Sequence, residues 1–94
     1  MQTYCYFDGN RKVCYNMNKK TYEKIMNGTS DNNIKFRDVH NLLIFKGFDC
    51  RIKGDHYIYY HKDFFEIINL QPIGNKAKSY QVKQIRMMFE KNGL

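Results

Sequence analysis

Residues 53 to 62 read KGDHYIYYHK: a glycine turn, a histidine, then a short aromatic, β-prone run with a lysine at each end. A histidine side chain, with a typical pKa of ~6.5, can give or take a proton at neutral pH, so His56 is the residue here with acid/base chemistry to offer. Taken alone, a histidine at a strand start is more often a partly exposed residue satisfied by backbone or water. Cys50, His56 and His61 do not have a zinc-ligand spacing, so neither a metal nor any other cofactor is expected. Around His56 the chain is basic. Lys53 and Lys62 flank the strand, Arg51 lies on the preceding one, and Lys76 and Lys78 occupy a later loop.

The elements that must position these groups can be read from periodicity and turn residues. Residues 3 to 15, TYCYFDGNRKVCY, predict a β-hairpin, because Asp8-Gly9-Asn10 is strong turn chemistry between two β-prone runs. A two-residue Gly9-Asn10 loop would set Cys5 opposite Cys14. Thr21 to Asn27 predicts a short helix with Thr21 as N-cap and with Tyr22, Ile25 and Met26 on one face. The polar run Gly28 to Asn33 is a breaker, which divides the chain into an N-terminal extension, 1–30, and a domain, 31–94.

Within 31–94, Phe36, Val39, Leu42 and Leu43 recur at helical spacing, and Gly47 supplies a left-handed stop. Residues 48–52, 57–61 and 65–70 then read as three strands joined by turns too short for anything but an antiparallel meander. A last helix spans about 79–91 on the stripe Val82, Ile85, Met88 and Phe89. The expected architecture is α+β, helix–three-stranded antiparallel sheet–helix, with both helices on one face of the sheet. If Ile58 packs beneath the helices, alternation puts His56 on the same side. Its access would then require a turn or bulge at Gly54-Asp55. His40 is expected at the surface and His61 in a solvent-facing turn.

Composition bounds the partners. With 94 residues the chain makes one modest core, and 16 Lys+Arg against 9 Asp+Glu give a net charge of +7. A field of that sign on so small a body favours polyanions: nucleic acid, an acidic protein partner or, weakest of the three, an anionic membrane surface. The longest apolar run, Leu42 to Phe45, falls far short of the ~20 residues of a spanning helix, so no membrane association is expected. The start, MQTYCYFDGN, carries neither the basic nor the apolar region of a signal peptide. With an odd count of three cysteines, this predicts reduced thiols and a cytoplasmic protein.

Several blocks resemble one known family. The run Asn33-Ile34-Lys35-Phe36-Arg37-Asp38-Val39, with Leu42-Leu43 and Gly47-Phe48, resembles the first helix of the HicA toxins of HicA–HicB toxin–antitoxin modules. Gly54-Asp55-His56 falls where that family carries Gly-Ser-His or Gly-Asn-His. Asn69-Leu70-Gln71-Pro72 and Ala77 to Arg86 are similar to the C-terminal half of a HicA subgroup. The likeness covers about residues 21 to 94.

The resemblance implies a fold like the double-stranded-RNA-binding domain. It also implies metal-independent cleavage of mRNA and a HicB-type antitoxin partner, the free toxin being a monomer or weak dimer. The family's essential histidine maps onto His56 and its motif glycine onto Gly54. RNA can be cut by its own 2′-hydroxyl, so a protein need supply only a proton acceptor, a proton donor and positive charge. Arg51, Lys53, Lys62, Lys76 and Lys78 are candidate backbone contacts, and Tyr80 a candidate for stacking on a base. Asp55 departs from the family motif. A carboxylate there favours imidazolium and places negative charge where a phosphate must approach, although turn chemistry is the commonest role for Asp in this setting. Two other functions remain compatible with these residues: a nucleic-acid-binding module without catalysis, and an inactive family member that acts only with its antitoxin.

Overall fold

A computed structural model describes the backbone from residue 3 to residue 94, and the side chains of residues 9, 10 and 18–94. Strands β1 (Thr3–Asp8) and β2 (Arg11–Asn16) form the N-terminal hairpin, and α1 (Met17–Asn27) follows directly. Then come α2 (Phe36–Phe45), the strands β3 (Asp49–Lys53), β4 (His56–His61) and β5 (Phe64–Leu70), and α3 (Ser79–Asn92). The sheet order β3-β4-β5 is an antiparallel meander. The α+β fold, helix–three strands–helix with an N-terminal hairpin and helix, is the one its periodicities predict. Among the described residues no helix is long and apolar enough to cross a membrane.

The hairpin turns at Gly9, whose φ of 64° suits glycine, and its register pairs Cys5 with Cys14. Whether those two thiols pair lies outside the described side chains. Helix α1 begins at Met17, four residues before the expected start, so Thr21 is no cap. It lies inside the helix and is buried, as is Asn18 one turn before Tyr22. The buried stripe therefore extends a turn further back than the apolar residues alone indicated, because two of its members are polar.

One core joins everything from α1 onward. Ile25 of α1, Val39, Leu42 and Leu43 of α2, Tyr59, Ile68 and Leu70 of the sheet, and Val82, Ile85 and Phe89 of α3 are all essentially solvent-free. Tyr22 stacks on Phe89 with 5.8 Å between ring centroids, and its hydroxyl donates to the Leu94 carbonyl at 2.7 Å. Residues 28–33 hold no helix or strand, yet α1 packs across that break into the same apolar interior.

The strand faces settle the access of His56. Tyr57, Tyr59 and His61 point toward the helices, whereas His56, Ile58 and Tyr60 take the open face. The premise that Ile58 packs beneath the helices is thus reversed, because the aromatic rings fill that space instead. Tyr59 is fully buried, and its hydroxyl is hydrogen-bonded to Nδ1 of His40 at 2.7 Å. His40 is accordingly half-buried among Phe36, Tyr57 and Tyr59 rather than at the surface. Burial pushes the Tyr59 phenol up and the His40 imidazole below its ordinary 6.5, so both stay neutral.

That pair has a testable consequence. A histidine whose folded pKa is depressed contributes stability above the unfolded value of about 6.5, and that stability is lost as pH falls through the lower folded value. Thermal melts from pH 7.5 to 5 should show a steeper loss for the parent than for His40→Gln, whose amide can still meet Tyr59. Equal slopes would place the pH dependence elsewhere.

Candidate active site on the open sheet face

Gly54 and Asp55 make the two-residue turn between β3 and β4. Gly54 takes φ 63° and no other residue type adopts a positive φ among the described residues, the pattern of a type II′ hairpin turn. Lys53 and His56 are the residues paired across it, so their Cβ atoms stand roughly 5 Å apart on the open face. The turn ends the strand; no bulge is needed to free His56, whose side chain is 46 % exposed.

The ring is oriented by a neighbour that sequence reasoning passed over. Asn69 on β5 presents its side-chain carbonyl oxygen to His56 Nδ1 at 3.1 Å. An amide oxygen only accepts, so Nδ1 is the donor in this bond, and in the neutral imidazole the lone pair then falls to Nε2. Regular pairing from the Lys62-Asp63 turn would set Asn69 directly opposite His56. The register instead shifts by two residues between Tyr59 and His61, bringing Asn69 opposite Ile58. A shift of two preserves the faces, so Asn69 stays beside His56 on the open side. The polar residue at an outward position of β5 was the available signal.

Asp55 does not clamp the imidazole. Its Oδ1 lies 3.6 Å from His56 Nε2, too long for a hydrogen bond, and both groups face water. Its Oδ2 instead accepts from Gln71 Nε2 at 2.6 Å. The role of Asp55 is therefore to tie the turn to the end of β5 rather than to cap the turn backbone. From there the connection continues inward. Gln81, buried in the first turn of α3, donates to the Gln71 carbonyl at 3.5 Å and accepts from the Lys78 backbone N–H at 3.2 Å.

The candidate cations separate into groups. Lys53 and Arg51 are exposed on the same face as His56, Arg51 being paired with Ile58. Lys62 lies in the turn at the far end of β4, beyond His61. Five residues of strand at about 3.3 Å each put His61 itself roughly 16 Å from His56, so Lys62 cannot reach the same phosphate. Lys78 is half-buried at the start of α3, with Nζ 6.0 Å from the centroid of exposed Tyr80, and Lys76 sits in a separate pocket.

His61 is not the solvent-facing residue expected. Its side chain is 9 % exposed, wedged between Phe48 and Phe64 against Gly47, and its Nδ1 accepts the Asp63 backbone N–H at 3.0 Å. Lys62-Asp63 turns the chain, but the two aromatic neighbours draw the ring inward. Position and burial both remove it as a partner for His56. Among the described residues no group of three His, Cys, Asp or Glu side chains is placed to hold a metal ion.

No family model matches the chain, and no solved structure matches it. The chain is 32 % identical over 89 residues to the tRNA (guanine(26)-N(2))-dimethyltransferase of Methanocaldococcus jannaschii. That alignment takes in 94 % of this chain but only 21 % of the methyltransferase, so the chain spans about a fifth of the curated relative it matches.

Proposed function

We propose that this chain is a HicA-type endoribonuclease that cleaves mRNA, with His56 as general acid/base and a HicB-type antitoxin as its partner. The observation that carries the reading is the setting of His56. It is an accessible histidine with Nδ1 bonded to Asn69, Nε2 on the exposed side with no hydrogen bond among the described residues, and Lys53 across the strand pair. In the reaction Nε2 takes the proton of a 2′-hydroxyl as the 2′-oxygen bonds to phosphorus and the bond from phosphorus to the 5′-oxygen breaks. The departing oxygen takes its proton from solvent or from the Lys53 ammonium. Lys53 and Arg51 offset the charge that builds on the phosphorane oxygens. One positioned acid/base is worth roughly 10² to 10⁴-fold in rate.

A second reading, an RNA-binding module without cleavage, has its own support in the similarity to part of a tRNA-modifying enzyme. The two separate in one assay. Purified chain freed of any partner, incubated with RNA in EDTA, should yield fragments with 2′,3′-cyclic phosphate and 5′-hydroxyl ends. Bound but intact RNA would favour the binding module, and 5′-phosphate ends would sink attack by the 2′-hydroxyl.

A further inference from the structure

Away from the open sheet face, α1 and the loop before α3 enclose a pocket of about 230 Å³. Four lysines line it, Lys20 and Lys24 from α1, Lys35 before α2, and Lys76, against one carboxylate, Asp38. Backbone bonds fix the arrangement. The Phe36 N–H donates to Asn75 and the Ala77 N–H to Ile34, and Lys35 and Lys76 face each other as an isolated antiparallel bridge. Like charges set directly opposite across a strand pair destabilise it. Among the described residues no ion pair engages any of the four lysines. The fold thus holds two lysines side by side and adds two more from a neighbouring helix, with Asp38 the one carboxylate in the lining.

We propose that this four-lysine pocket binds a backbone phosphate of the RNA strand whose cleavage is assigned to His56, an inference that rests on RNA being the partner. Size and charge select the ligand class. The volume is below the roughly 300–1,000 Å³ of pockets that enclose drug-sized molecules, which leaves room for a phosphate group but not for a buried nucleotide. An anion in the pocket relieves the repulsion between Lys35 and Lys76. Position favours a strand over a free ion. Lys76 is five residues from Gln71, which bonds to Asp55 beside His56, so at ~3.6 Å per residue the two ends of that loop are at most ~18 Å apart. A single strand a few nucleotides long bridges that distance. The pocket also gives α1 a purpose in RNA binding, because half of its lysines come from that helix.

The test measures binding of a single-stranded RNA oligonucleotide across a salt series, with every protein carrying His56→Ala so that no RNA is cut. Lys20→Gln with Lys24→Gln removes two pocket charges at little helical cost. The pocket holds one phosphate, so losing that contact should lower the salt slope by up to about 0.7 for single strands and affinity near 0.1 M salt by roughly fivefold. Lys19→Gln with Lys83→Gln removes the same charge outside the pocket and should do much less. Equal effects from the two pairs, or none from the pocket pair, would overturn the site. So would backbone amide shifts at Lys24, Asn33 and Lys76 on titration with inorganic phosphate but none with RNA, which marks a free-anion site. Failure of the parent to cleave RNA that the pocket still grips would overturn only the catalytic assignment.

Discussion

His56→Ala should abolish RNA cleavage, lowering the single-turnover rate by roughly 10² to 10⁴-fold, while the melting temperature moves by no more than a few degrees. The stability side follows from exposure. The imidazole has one side-chain hydrogen bond, to an Asn69 that is itself exposed, and no core contact depends on it. Surface substitutions of this kind change stability by about 0.5 kcal/mol or less. The rate side follows from isolation, since His40 lies on the inner face bonded to Tyr59 and His61 is enclosed at the far end of the strand. Neither can substitute. RNA affinity should persist in the variant, because the lysines proposed to bind phosphate, and Arg51, are unchanged. A variant that still cuts RNA at a tenth of the parental rate or better would refute His56 as the acid/base. One that loses binding as well would make His56 a contact residue instead.

Much of the fold was legible in the sequence, and the failures share a cause. Apolar stripes at helical spacing located α2 and α3, and glycine-centred turns located the meander, because both signals are local. The parity of β4 was not local. Tyr57 and Tyr59 are as apolar as Ile58 over most of their surface, and with Tyr60 on the other face the strand HYIYYH does not say which set is buried. What decides it is space under two helices, which the rings of Tyr57 and Tyr59 fill, together with a hydroxyl partner, His40, nineteen residues away. The partners of the catalytic candidate were hidden for a similar reason. Asn69 and Gln71 reach His56 and Asp55 only through a strand register that a two-residue shift alters. Lys62 looked equivalent to Lys53 in a linear string, whereas a strand length separates them.

Arg86→Ala should be the most destabilising change outside the apolar core, at about 3 kcal/mol, or a fall in melting temperature of roughly 12 to 24 °C for a chain of this size. The guanidinium joins three segments. Nη1 donates to the Ile25 carbonyl at 2.8 Å and to Asp31 Oδ1 at 3.0 Å, and Nη2 donates to Asp31 Oδ2 at 3.1 Å. Arg86 and Asp31 side chains are only 18 % and 11 % exposed, so truncation strands a nearly buried carboxylate and a helix carbonyl together. Arg86→Lys keeps the charge but cannot reproduce the planar fork, and should recover less than half of the loss. Arg86→Met with Asp31→Leu removes the stranded carboxylate and should be more stable than Arg86→Ala alone, which distinguishes an unpaired-charge penalty from a simple packing defect. The latch also decides whether α1 folds with the rest. Because Ile25 and Tyr22 share the core of α2 and α3, the parent should melt in a single transition, and the variant should lose α1 at a lower temperature than the sheet. A drop of less than ~4 °C with one unchanged transition would mean that apolar packing alone holds α1, and with it Lys20 and Lys24, against the domain.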